Sequence, residues 1–140
     1  MRLRTCFGLG TFALAVLLLG ACKRTTVAET KEIQTQRTKD LVISLRNEKG
    51  ELAMGQNHFV VTFRSATDNQ PVDAGTVNVG AAMAMPAMAP MTALIELEPT
   101  GTTGQYAAKG DFAMSGSYKF DVRWDGPQGR GDTSFNANVR

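Results

Sequence analysis

Gly116-Ser117-Tyr118-Lys119-Phe120-Asp121-Val122-Arg123-Trp124 decides the fold class: Tyr118, Phe120, Val122 and Trp124 alternate strictly with Lys119, Asp121 and Arg123. In an extended chain successive side chains point to opposite faces, so this period predicts a strand with one face in a core and the other in water. Moving outward, Gly126-Pro127-Gln128-Gly129 supplies turn residues, and Phe135, Ala137 and Val139 supply the inward row of a partner strand. Upstream, a short strand is expected around Tyr106 within Gly104–Gly110, another at Ala93–Glu98 before Pro99, and another around Thr76–Val79. Phe59, Val61 and Phe63 alternate up to Asp68-Asn69-Gln70-Pro71, and Leu41, Ile43 and Leu45 alternate up to Asn47-Glu48-Lys49-Gly50. About seven such runs with turns between them, and no helical period, predict an all-β, immunoglobulin-like antiparallel β-sandwich over residues 39–140.

One connection stands apart. Ala81-Ala82-Met83-Ala84-Met85-Pro86-Ala87-Met88-Ala89-Pro90-Met91 holds four of the seven methionines, two prolines and no charge. A core strand favours branched and aromatic residues, and a helix does not tolerate Pro86 and Pro90 so close together. The stretch therefore reads as an extended loop between strands. Held near polyproline II, with three residues per turn, it would gather Met85, Met88 and Met91 on one face.

The N-terminal end carries a different signal. Arg2 and Arg4 precede an apolar run from Phe7 to Leu19, which closes on Leu19-Gly20-Ala21-Cys22. The run is short for a spanning helix and has the grammar of a signal peptide over residues 1–21. Its ending resembles the lipobox of bacterial lipoproteins, which implies cleavage before Cys22 and attachment of membrane lipid to it. By resemblance to the enterobacterial sorting pattern, Lys23 after the cysteine implies the periplasmic face of the outer membrane. Lys23 to Thr38 is polar and mixed in charge, so residues 22–38 are expected to be a lipidated cysteine and a flexible tether.

Processing would also remove the apparent basicity. The signal holds two of the fifteen basic residues and none of the thirteen acidic ones, leaving thirteen of each sign. A balanced domain without a basic stripe predicts no nucleic-acid partner. With Cys6 cleaved and Cys22 lipidated, no free thiol remains for a disulfide or a catalytic nucleophile. One histidine and no Ser-centred motif leave little for acid–base or nucleophilic catalysis, so the chain is not expected to be an enzyme. Arg130-Gly131-Asp132 spells an adhesion tripeptide, but in a Gly-rich turn its residues are expected for turn reasons.

Read in order, Leu41-Val42-Ile43-Ser44-Leu45, Gly55-Gln56-Asn57-His58-Phe59, the Met-Pro segment from Met83 to Met91, Gly104-Gln105-Tyr106 and Gly110-Asp111-Phe112-Ala113-Met114-Ser115-Gly116 resemble YtkA-like domains. Those domains are similar to FixH proteins and to modules attached to copper-efflux adaptor proteins. The resemblance implies an extracytoplasmic β-sandwich that handles copper, with a Met-Pro-Met-rich loop as its hallmark. Here the local form is Met83-Ala84-Met85-Pro86-Ala87-Met88, with alanine where many relatives carry methionine or a polar residue.

The chemistry of the loop fits that implication. A thioether is a soft donor suited to Cu(I), and it has no proton to lose before binding. The candidate ligands are Met83, Met85, Met88 and Met91, any three of which suffice. The same residues serve equally well as apolar filler or as a docking surface. His58 precedes the inward-facing Phe59 and so should face outward, as a surface histidine and at most an accessory ligand. Met54 and Met114 read as packing residues, although either could approach the loop. Three functions follow as expectations: Cu(I) capture or transfer for a membrane oxidase or efflux system, metal-free docking onto an envelope complex through the methionine loop, or a plain structural envelope lipoprotein.

Overall fold

The computed structural model describes residues 29–140; the expected signal peptide, Cys6, the lipidated Cys22 and the first part of the tether lie outside the described residues. Eight strands follow in order: β1 Lys31–Arg37, β2 Leu41–Asn47, β3 Gly55–Ser65, β4 Thr76–Met83, β5 Met91–Pro99, β6 Gln105–Phe112, β7 Gly116–Gly126 and β8 Gly129–Val139. All neighbours pair antiparallel in the order β1-β2-β3-β6-β5-β4-β7-β8. The expected antiparallel β architecture is therefore present, with one strand more than the seven read from periodicity. Its two layers are continuous through β5. Met91, Thr92 and Ala93 pair with β4, whereas Leu94–Pro99 pair with β6. β1 also contacts β8, so the sheet nearly closes on itself.

The alternations that predicted the strands are those that fill the core. Leu41, Ile43 and Leu45 from β2, Phe59, Val61 and Phe63 from β3, and Tyr118, Phe120, Val122 and Trp124 from β7 are all buried. Phe120 lies at the centre, stacked on its cross-strand partner Phe135 with centroids 5.8 Å apart, and near Phe112 at 6.0 Å and Phe59 at 6.5 Å. Such aromatic pairs add roughly 0.5–1.5 kcal/mol each beyond their buried area.

Three expectations are corrected. The tether does not extend to Thr38, because Lys31–Arg37 pairs with β2 from Lys31↔Asn47 to Arg37↔Val42, with an irregularity between Glu32 and Gln34. This strand has no clear apolar face. It is held by main-chain pairing, by Ile33 against the core, and by a 2.7 Å Thr35–Ser44 hydroxyl hydrogen bond. The methionine stretch is not a loop throughout, since Ala81–Met83 belong to β4 and Met91 opens β5. Ala81 is buried opposite Phe120, where a small side chain leaves room for the ring. Arg130-Gly131-Asp132 lies in β8 rather than in the turn. A Cβ on Gly131 would fall 2.5 Å from the Trp124 ring, so the glycine is required by close packing.

Candidate metal centre

The β4–β5 hairpin places Met83 directly opposite Met91 on the inward faces of the two strands. Cβ atoms of such a pair lie about 5 Å apart. Ala84–Pro90 connect them through a turn in which the Met88 amide donates to the Met85 carbonyl at 3.3 Å. Pro86 and Ala87 are its central residues, and Ala87 has φ of 61°. Proline followed by a positive φ is the type II pattern. The chain thus reverses at Pro86-Ala87 and does not continue as the polyproline II helix expected from the sequence, and the turn joins the backbones of Met85 and Met88 instead.

The four hairpin methionines differ in availability. Met83 is 9% exposed, and its Sδ rests against Gly116. Gly116 has φ of 151°, and any Cβ there would collide with that sulfur. Met85 and Met91 are half-buried against the edge of the core, whereas Met88 is 69% exposed at the turn.

Two further methionines share this end of the molecule. β6 ends at Phe112 and β7 begins at Gly116, so Ala113-Met114-Ser115 arches from one layer to the other. Because β6 borders β5 and β7 borders β4, the arch stands beside both legs of the hairpin. It is anchored from below: the Tyr118 hydroxyl donates to the Met114 carbonyl at 3.1 Å, and Tyr118 packs edge-on against Phe112 at 5.1 Å. On the far side of the arch, Gly55 pairs with Phe112, and the Met54 amide donates to the Arg140 carbonyl at 2.8 Å. The exposures of Met54 and Met114, 64% and 43%, differ from the packing role expected of them. With Met88 and the 73% exposed Leu94, they are the exposed large apolar side chains among the described residues. No sequence period signals this gathering, because the three segments are joined by topology alone.

His58 is exposed, as its position before Phe59 predicts, on the outer face of the β3–β6–β5 layer. Its cross-strand neighbour is Lys109, which in turn faces Glu96. It stands three residues into β3 from Gly55, roughly 10 Å along the strand from the methionine end. The structure does not bring it to the hairpin. Among the described residues, no three His, Cys, Asp or Glu side chains converge to hold a metal ion. The donors at this end are thioethers, which are neutral, soft and suited to Cu(I). Tyr106 lies at the opposite end, where its hydroxyl donates to the Gly75 carbonyl at 3.0 Å. Burial first, and then the nearby Asp73 carboxylate, push its pKa up.

Fold and site together define a two-layer antiparallel β-domain that displays methionines from several connections at one end. The YtkA-like family profile matches residues 35–123, and the chain belongs to that family. A search among curated proteins finds no match. Solved structures of similar shape include a copper-bound variant of FetP from uropathogenic Escherichia coli, 9% identical with a TM-score of 0.49, covering 79% of this chain and 97% of that one. Domains 4 and 5 of the S-layer protein SbsC are 17% identical with a TM-score of 0.43, covering 76% of this chain and 52% of theirs. This chain therefore spans about half the length of that S-layer structure.

Proposed function

We propose that this protein is a cell-envelope module, lipid-anchored through Cys22, that binds Cu(I) with the thioethers of its β4–β5 hairpin and exchanges it with an oxidase-assembly or efflux partner. The observation that carries the reading is the hairpin itself: a turn hydrogen bond joins Met85 to Met88, and Met91 opens the returning strand, while Met83 packs beneath them. Membership of the YtkA-like family and the softness of the donors support it. The chain's own part is binding and exchange. Half-exposed thioethers can be taken over one at a time by an incoming donor set, with no proton to be moved. We further propose that the protein has no catalytic role, and that Cys22 places it on the periplasmic face of the outer membrane.

A metal-free reading is favoured by a different observation. Met54, Met88, Leu94 and Met114 are exposed at one end, a surface suited to an apolar partner. The two readings separate in a Cu(I) titration of the full-length chain against a variant with Met83, Met85, Met88 and Met91 changed to leucine. The expected result is one tight Cu(I) in the parent and loss of binding in the variant. Parent affinity should be flat from about pH 8 to 5, whereas an imidazole-dependent site weakens as pH falls through about 6.5. Equal binding by both proteins, or by neither, rejects the hairpin as a copper site. A variant that keeps a partner while losing copper shows that docking is a separate property.

A further inference from the structure

We propose that Met114, from the β6–β7 arch, is a Cu(I) ligand of the hairpin site, and that Met83 is its packed floor and not a ligand. The inference rests on the hairpin reading and goes beyond it, because it assigns a donor from a second connection. Four observations carry it. Met83 is the most buried of the hairpin methionines, and its sulfur already lies on Gly116, in a place where a Cβ cannot fit. Exposing that sulfur to a metal would open a gap above the glycine at a cost in packing.

Met114 lies two residues before that same glycine, on the arch that flanks β4 and β5 together. Adjacent strands are about 4.8 Å apart, so the strand that the arch leaves and the strand that it enters each lie one strand spacing from a hairpin leg. The Met114 side chain is 43% exposed, so packing has not used its thioether. Finally, its backbone is fixed by the buried Tyr118 hydroxyl, and a fixed backbone reduces the ordering needed to bring a flexible donor to a metal. Met54 lies on the other side of the arch and serves as the matched control.

The experiment measures Cu(I) affinity of the full-length chain by competition with a chromophoric Cu(I) chelator, and the number of sulfur neighbours by X-ray absorption. Met114→Leu is expected to weaken binding about tenfold or more and to remove one sulfur from the coordination shell. Met83→Leu and Met54→Leu are expected to keep affinity within about a factor of three and the sulfur count unchanged. If Met114→Leu keeps both affinity and sulfur count while the joint change of Met85, Met88 and Met91 to leucine abolishes binding, the Met114 assignment is overturned and the hairpin reading stands. If the joint variant binds as tightly as the parent, the hairpin reading fails and Met114 falls with it. Loss of one sulfur in Met83→Leu with an unchanged thermal transition also overturns the assignment.

Discussion

The β7–β8 and β4–β5 hairpins lie side by side in one layer and divide the work of the protein between them. The first pairs without interruption from Gly116↔Val139 to Gly126↔Gly129, turns tightly, and contributes Tyr118, Phe120, Val122 and Phe135 to the core. The second pairs over Ala81↔Ala93, Ala82↔Thr92 and Met83↔Met91, and then gives way to Ala84–Pro90. A long ladder with stacked aromatics commits its inward side chains to the core. A short ladder that opens into a proline turn leaves side chains uncommitted, and these are the side chains with soft donor chemistry. The two are coupled at Gly116, the first residue of β7, on which the last residue of β4 rests its sulfur.

The largest expected effect comes from breaking the structural hairpin. Phe120→Ala should cost about 3–5 kcal/mol in denaturant unfolding, because it removes a fully buried ring that meets Phe59, Phe112 and Phe135. Met88→Leu, on the other hairpin, should stay within about 0.5 kcal/mol because its side chain is exposed. Equal losses would mean that the methionine turn is part of the core after all.

Gly116→Ala tests the coupling between the two hairpins. A Cβ there must displace the Met83 sulfur and occupy a backbone conformation unfavourable to alanine, at a cost of about 1–3 kcal/mol. Its chemical-shift changes should appear in Met83 and Met91 as well as in β7. Changes confined to β7 would show that the hairpins are independent.

A smaller loss than that at Gly116 is expected at the base of β4, far from the methionines. Tyr106→Phe removes the hydroxyl bond to Gly75 and should cost about 1 kcal/mol near neutral pH. The folded-state pKa of Tyr106 is raised, mainly by burial. Its contribution is therefore fully present below the unfolded tyrosine value, near 10, and is lost as pH rises through the higher folded value. Alkaline unfolding curves of parent and variant should converge above that range. Parallel curves throughout would show that the hydroxyl does not titrate with folding.

How much was legible in the sequence followed from how much of each segment was patterned by burial. β2, β3 and β7 each bury one face and announce it in Leu41-Ile43-Leu45, Phe59-Val61-Phe63 and Tyr118-Phe120-Val122. β1 looks like tether in the sequence because Lys31-Glu32-Ile33-Gln34-Thr35-Gln36-Arg37 has one apolar residue, and pairing of its backbone to β2 leaves little trace in composition. The end of β4 looks like loop in the sequence because alanine is a poor strand residue in isolation, although a small residue is what fits opposite Phe120.

By itself the sequence determined the fold class, through side-chain alternation that only a strand with one buried face can satisfy, and it marked Met83–Met91 as the unusual connection. It could not determine that this connection reverses at Ala87, that Met83 is turned into the core, or that Met54 and Met114 arrive at the same end. Those were decided by register and by strand order. The β4–β5 pairing opposes Met83 to Met91, and the crossing from β6 to β7 carries Met114 beside them. Periodicity reports which face of a strand meets the core, because burial acts on each residue locally. Which strand ends come together depends on long-range pairing, for which a single chain's local pattern holds no record.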